Sequence, residues 1–120
     1  MGDLYDKLDL DQLRVAKKVK EQASQLGLNP DLALAAFYQE SGLRQSAKSK
    51  TGPVGVAQLG KAAAKDTGVN RHNEDQNIIG GLKYLKQQLE SNGGDYRAAL
   101  VDYHNGPGSF KAGRIDDAAS

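Results

Sequence analysis

Glu40 is the group in this 120-residue chain best placed for acid–base chemistry. It follows the run Leu32–Gln39, in which Leu32, Ala33, Leu34, Ala35, Ala36 and Phe37 make a nearly apolar helix. At such a helix end the negative pole of the dipole and the loss of hydration both disfavour a charged carboxylate. A carboxyl group there is expected to titrate above its ordinary range, as a general acid working near neutral pH requires. Position alone leaves a second reading open, a partly exposed acid at a frayed helix end paired with Arg44. Other chemistries are narrowed by what is missing. The chain has no cysteine, which removes disulfides, thiolate catalysis and cysteine-ligated zinc. His72 and His104 have no histidine or acid four residues away, so neither a metal nor any other cofactor is expected.

The elements that must position Glu40 follow from composition and periodicity. At 38% hydrophobic and 26% charged residues the chain reads as one globular domain over residues 1–120, long enough to bury about two thirds of its unfolded surface. Lys+Arg 16 against Asp+Glu 15 gives a net charge of +1, too balanced for the positive field of a dedicated nucleic-acid binder. With 6% aromatic residues and no Trp there is little to stack bases on, and no nucleic acid partner is expected. No stretch approaches the roughly 20 apolar residues of a membrane span, and Met1-Gly2-Asp3-Leu4-Tyr5-Asp6 lacks the basic start and apolar run of a signal peptide.

Residues 1–8 read as frayed. Leu13, Ala16, Val19, Ala23 and Leu26 then form one apolar stripe, predicting a helix over Asp11–Leu26, with Gly27 behind it and Lys17, Lys18 and Lys20 on its solvated faces. Asn29-Pro30-Asp31 is a cap, a first helical position and a dipole partner in sequence, so a second helix starts there and ends at Glu40-Ser41-Gly42. Its apolar run places it centrally in the core. From Leu43 to Gly60 the helical period disappears, glycine recurs and Val54 and Val56 alternate, which predicts a turn-rich loop with room for a short hairpin. Helices follow at Lys61–Asp66, at Asn73–Glu90 with Ile78, Leu82, Leu85 and Leu89 on one stripe, and from the Asp95 cap through Tyr103, with Gly81 on an inner face suggesting close helix contact. Residues 111–120 read as a polar tail or the start of a linker. The expected fold is mainly α, five helices around one loop-rich insertion.

A longer pattern sharpens this reading. Pro30-Asp31-Leu32, Gln39-Glu40-Ser41-Gly42, Ala47-Lys48-Ser49, Gly52-Pro53-Val54-Gly55-Val56-Ala57-Gln58-Leu59, Asn77-Ile78 with Gly81 and Tyr84-Leu85, and Ala99-Leu100-Val101-Asp102-Tyr103 before Gly106-Pro107-Gly108 occur in that order. So arranged, they resemble the soluble lytic transglycosylase (SLT) domain, the goose-lysozyme-like family that cleaves peptidoglycan glycan strands, over roughly Leu13 to Gly108. The resemblance implies a lysozyme-like helical domain whose loop or short β-hairpin flanks a cleft. It implies that Glu40 is the catalytic acid/base, and that the product is a 1,6-anhydro-muramic acid end formed by the sugar's own C6 hydroxyl. No second carboxylate is needed when the 2-acetamido group of the sugar stabilises the anomeric centre, and the segment Leu43–Gly60 contains neither Asp nor Glu.

By the same resemblance Gln58 fills the family's glutamine slot in the cleft, Ser49 matches a serine near the acid, Tyr103 matches the tyrosine beside the reacting sugar, and His104 stands where asparagine is usual. Ser41 and Tyr84 are expected in supporting roles. Each has a plainer alternative: Gln58 as a loop amide bonding backbone, Ser49 as a turn hydroxyl, Tyr103 as a core tyrosine. His104, Ala57, Gly60 and Lys61 depart from the family pattern, and a wider, wetter pocket would admit water. The chain also stops before the family's further C-terminal helix. The reading is a peptidoglycan lytic transglycosylase; a muramidase that hydrolyses the same bond and a non-catalytic virion module are the alternatives. Its partners would be glycan strands and the rest of a larger virion or secretion-apparatus protein. The expected location is a phage virion acting in the host periplasm, or an exported bacterial protein without its leader.

Overall fold

The computed structural model describes residues 6–113. Its helices are α1 (Leu10–Gln25), α2 (Pro30–Ser41), α3 (Lys61–Thr67), α4 (Glu74–Ser91) and α5 (Tyr96–Asn105), so the protein is mainly helical, as the periodicities predict. Of the expected frayed start and polar tail, residues 1–5 and 114–120 lie outside the described residues; 6 and 7 are helical and 111–113 form an exposed turn. By its contacts the chain divides into two compact units, the first ending at Leu82 and the second beginning at Lys83.

In the first unit α1 begins one residue before the expected start because Asp9 and Gln12 form a capping box. The Gln12 backbone N–H donates to Asp9 Oδ1 at 2.8 Å and the Asp9 N–H donates to Gln12 Oε1 at 2.9 Å, satisfying two of the donors a helix start leaves open. The buried stripe is Val15, Ala16, Val19 and Ala23; Leu13 and Leu26, expected within it, are half-buried at its edges. α2 packs against α1. Its start follows the sequence signal, with Asn29 Oδ1 accepting from the N–H groups of Asp31 at 3.0 Å and Leu32 at 3.2 Å. It buries Ala33, Leu34 and Phe37, whereas Leu32 is 40% exposed and Ala35 faces outward. An apolar composition therefore overstated its burial: one face enters the core.

α1 also reaches the start of α4 through ions. The Arg14 guanidinium grips Glu74 with both arms, at 2.7 and 3.0 Å, and Lys18 Nζ donates to Glu74 at 2.8 Å and to Asp75 at 2.7 Å. Both acids sit in the first turn of α4, where the helix dipole favours them. The Arg14 guanidinium outweighs partial burial and, with Lys18, holds the Glu74 carboxyl down at about 2. Because this value lies below that of the unfolded chain, the stabilisation is fully present above the ordinary carboxylate range and is lost as pH falls toward 2. Urea unfolding should separate wild type from Glu74→Gln at pH 7 and bring them together near pH 2. A gap that ignores pH would show that this pair does not stabilise the fold. The gap will be modest, since Arg14 is 48% exposed and screened by solvent.

In the second unit α5 is capped by Asp95, whose Oδ1 accepts from the Ala98 N–H at 3.2 Å. Leu85, Leu89, Ala98, Ala99 and Val101 are buried. So is Asp102, at 3% exposure. Burial pushes its carboxyl upward, but the Asn92 amide, the N–H groups of Phe110 and Gly108 and the charge of Lys111 prevail and hold it below the usual range. The resulting carboxylate fastens the turn after α5, accepting from the Phe110 N–H at 2.8 Å and from Asn92 Nδ2 at 2.9 Å. Among the described residues, no helix is long and apolar enough to cross a membrane.

Candidate active site

Glu40 occupies the last turn of α2 and is half-buried. The helix end that carries it is fastened, so the reading of a frayed terminus does not hold. Gly42 takes a left-handed conformation with φ 66° and donates its N–H to Tyr38 O at 2.8 Å, the usual way of closing a helix. Its carbonyl accepts from Gln12 Nε2 at 2.9 Å, which ties the terminus to α1. Leu43 continues in the left-handed region at φ 63°. That conformation costs a non-glycine residue roughly 1–2 kcal/mol, and the side chain is wholly buried, which offsets it. The Arg44 guanidinium, one partner considered for Glu40, pairs with Asp9.

Ser41, immediately after Glu40, joins the helix to the loop. Its hydroxyl lies 2.6 Å from Val56 O and 3.1 Å from Phe37 O, and accepts the Leu43 N–H at 3.1 Å. A hydroxyl has one proton, and the shorter contact directs it to Val56. The loop itself is not a regular hairpin. Two isolated antiparallel bridges, Lys48 with Val54 and Val54 with Leu59, are its only pairing among the described residues.

Side chains add to the few backbone bonds of the loop, among them Gly55 N–H to Ala47 O at 2.8 Å and Leu59 N–H to Val54 O at 2.9 Å. Asn77, in the first turns of α4 and with no exposed surface, accepts the Ala57 N–H at 2.8 Å through Oδ1 and donates from Nδ2 to Val54 O at 2.9 Å and Arg71 O at 2.8 Å. Gln45 accepts the Val56 N–H at 3.1 Å and donates to Arg71 O at 3.2 Å. Arg71 Nη1 donates to Gly52 O at 2.9 Å and Leu59 O at 3.0 Å. Sequence reasoning did not single out Gln45 or Arg71, and noted Asn77 only as part of a pattern. The available signal was a glycine-rich segment with few strand residues, whose backbone groups had to find partners somewhere.

The other expected residues fall as follows. Gln58 is half-buried in the loop with φ 49° and donates from Nε2 to Ala47 O at 3.1 Å and Gly55 O at 3.0 Å; both amide hydrogens serve the loop backbone, leaving Oε1 as the atom a sugar could use. The Ser49 hydroxyl lies 3.1 Å from Thr51 Oγ1, inside the turn at 49–52 that the Gly52 N–H closes onto Ser49 O. Glu40, Ser41, Ser49 and Gln58 belong to the first unit. Tyr84, Tyr103 and His104 belong to the second. There the Tyr84 and Tyr103 rings pack at 5.2 Å between centroids with an interplanar angle of 53°; Tyr103 is buried and His104 is exposed near the end of α5. Gly81 is buried as expected, and the neighbouring Gly80 shows why space matters on this helix: a Cβ there would lie 2.5 Å from Val69 Cγ2.

The chain is 36% identical over 85 residues to a transglycosylase of Enterobacteria phage PRD1, covering 70% of this chain and 32% of that protein. It is 35% identical over 104 residues to the membrane-bound lytic murein transglycosylase F of Cellvibrio japonicus, covering 81% of this chain and 21% of the relative. A lytic murein transglycosylase F of Pseudoalteromonas translucida is 45% identical over 60 residues, 49% of this chain and 13% of the relative. The chain thus spans about a third or less of the length of these relatives. The family pattern described as "Transglycosylase SLT domain" matches residues 17–118, which include both units' expected site residues, and the chain belongs to that family.

Proposed function

We propose that this domain cleaves the β-1,4 bond between N-acetylmuramic acid and N-acetylglucosamine in peptidoglycan, with Glu40 as acid and then base, and leaves a 1,6-anhydro end. The observation that carries the proposal is the placement of Glu40: a half-buried carboxyl at a fastened helix end, one residue from the hydroxyl that holds Val56. As acid, Glu40 gives its proton to the glycosidic oxygen while the bond from that oxygen to the anomeric carbon breaks. The substrate's acetamido group carries the positive charge that develops, in place of a protein nucleophile. Glu40, now a carboxylate, takes the proton of the C6 hydroxyl as that oxygen bonds to the anomeric carbon, which restores the acid. A nucleophile within the sugar has a large effective concentration over water. Gln58 through Oε1, Ser49, Tyr103 and His104 are the proposed substrate contacts, with Ser41 and Tyr84 in support.

Ala57 bears on the product. Its small side chain stands where the family usually has methionine, but it is fully buried and its N–H is held by Asn77, so the substitution opens no surface to water at that point. This favours ring closure over hydrolysis. Digestion of purified sacculi in water enriched in heavy oxygen tests it: mass spectrometry should find anhydro-muramic ends without the label. Labelled reducing ends would identify a muramidase with the same acid, and intact strands a binding module. The likeness to a phage transglycosylase, and the greater length of the relatives, support a domain of a larger virion protein that acts on the wall in the host periplasm.

A further inference from the structure

Four hydrogen-bonding groups of the loop, Val54 O, Val56 N–H, Val56 O and Ala57 N–H, each bond a side chain, from Asn77, Gln45, Ser41 and Asn77 respectively, with Val54 O also accepting the Leu59 N–H at 2.9 Å. Gly55 lies between them with φ 84°, and a Cβ on it would stand 2.3 Å from Asn77 Nδ2 and 2.6 Å from Gln45 Oε1. The loop is therefore gripped as a ligand is gripped, by amides that reach it because residue 55 has no side chain. Both ends of the grip matter to the proposed site: Val56 is bonded to Ser41, next to Glu40, and Ala57 precedes Gln58.

We propose that Asn77 is a positioning residue for the reaction: it acts through the loop, setting Val56 and Ala57 so that the Glu40 helix end and Gln58 keep the geometry that turnover requires. The inference rests on the proposed transglycosylase reaction. Asn77 is suited to the task because its amide uses one acceptor and both donors at once, on Ala57, Val54 and Arg71, in a site closed to water. Misplacing reacting groups by about 1 Å can cost on the order of 100-fold in rate even when the change is remote from the chemistry.

Asn77→Asp is the test, with muropeptide release from sacculi measured per folded molecule. Aspartate keeps the acceptor for Ala57 but loses both donors, and sets a carboxylate oxygen against the carbonyls of Val54 and Arg71. Burial and those carbonyls favour its protonated form, which returns one donor; the Arg71 guanidinium is engaged by Gly52 O and Leu59 O. The expected result is a fall in kcat of about 10- to 100-fold at pH 7 with KM nearly unchanged, and partial recovery relative to wild type as pH falls toward 5. A folded variant with wild-type kcat, or one whose loss lies in KM with kcat unchanged, overturns the proposal. Should Asn77→Asp fail to fold, Gln45→Glu applies the same logic at a half-buried position: it keeps the acceptor for Val56 and loses the donor to Arg71, and wild-type turnover there overturns the proposal. Wild type and Glu40→Gln run alongside separate the two levels. An inactive wild type or an active Glu40→Gln removes the reaction itself; an active wild type, an inactive Glu40→Gln and an unaffected Asn77→Asp remove the positioning role alone.

Discussion

Glu40→Gln is expected to lower muropeptide release from purified sacculi by about 100- to 10,000-fold, the usual contribution of a general acid/base, while the domain stays folded. The two side chains are nearly the same size, so the half-buried site keeps its packing. What is lost is the proton for the glycosidic oxygen and the carboxylate that would take it back from the C6 hydroxyl. No Asp or Glu lies between Leu43 and Gly60 to replace it. Circular dichroism and thermal unfolding report the fold, and muropeptide analysis the activity. Undiminished release by a folded variant would remove Glu40 from the mechanism.

Gly55→Ala should be the most damaging small substitution in the loop, lowering stability by about 2–5 kcal/mol. Two costs add. An alanine at φ 84° pays roughly 1–2 kcal/mol for the left-handed backbone, and a Cβ 2.3 Å from Asn77 Nδ2 overpacks the site at about 1–3 kcal/mol. The nearest atom ends a side chain, which would ordinarily swing aside. Asn77 cannot do so cheaply, because the same movement strips hydrogen bonds from Val54, Ala57 and Arg71 in a place water does not reach. Gly52 is the comparison: it also has positive φ, 116°, but a Cβ there would meet open space, so Gly52→Ala should cost only the backbone contribution. Urea unfolding of the two variants separates the effects, and equal losses would show that the grip of Asn77 on the loop contributes nothing to stability.

The helices were legible because their signals are local. Asn29-Pro30-Asp31 caps α2 by atoms within three residues of one another, and the 3.6-residue period marks the buried side of α1 with only Val15 overlooked. Glu40 was legible for the same reason, as an acid at the end of an apolar helix within an ordered set of motifs. The extent of burial was not, since Leu32 and Phe37 are alike in composition and differ only in which neighbours cover them. The loop from Leu43 to Gly60 marks the boundary most clearly. Its sequence announces turns through Gly52, Pro53 and Gly55, but beside the bonds the loop makes with itself, side-chain partners of its backbone groups come from residues 41, 45, 71 and 77, up to 23 positions away. The roles of Ser41, Gln45, Arg71 and Asn77 exist only once the chain has brought them together. Residue type and spacing by themselves determined which segments are helical and which family the motifs match, and they singled out the acid proposed for the reaction. The tertiary structure alone decided how a segment with almost no β pairing is held still, because a buried peptide group must find a hydrogen-bond partner wherever in the chain that partner lies.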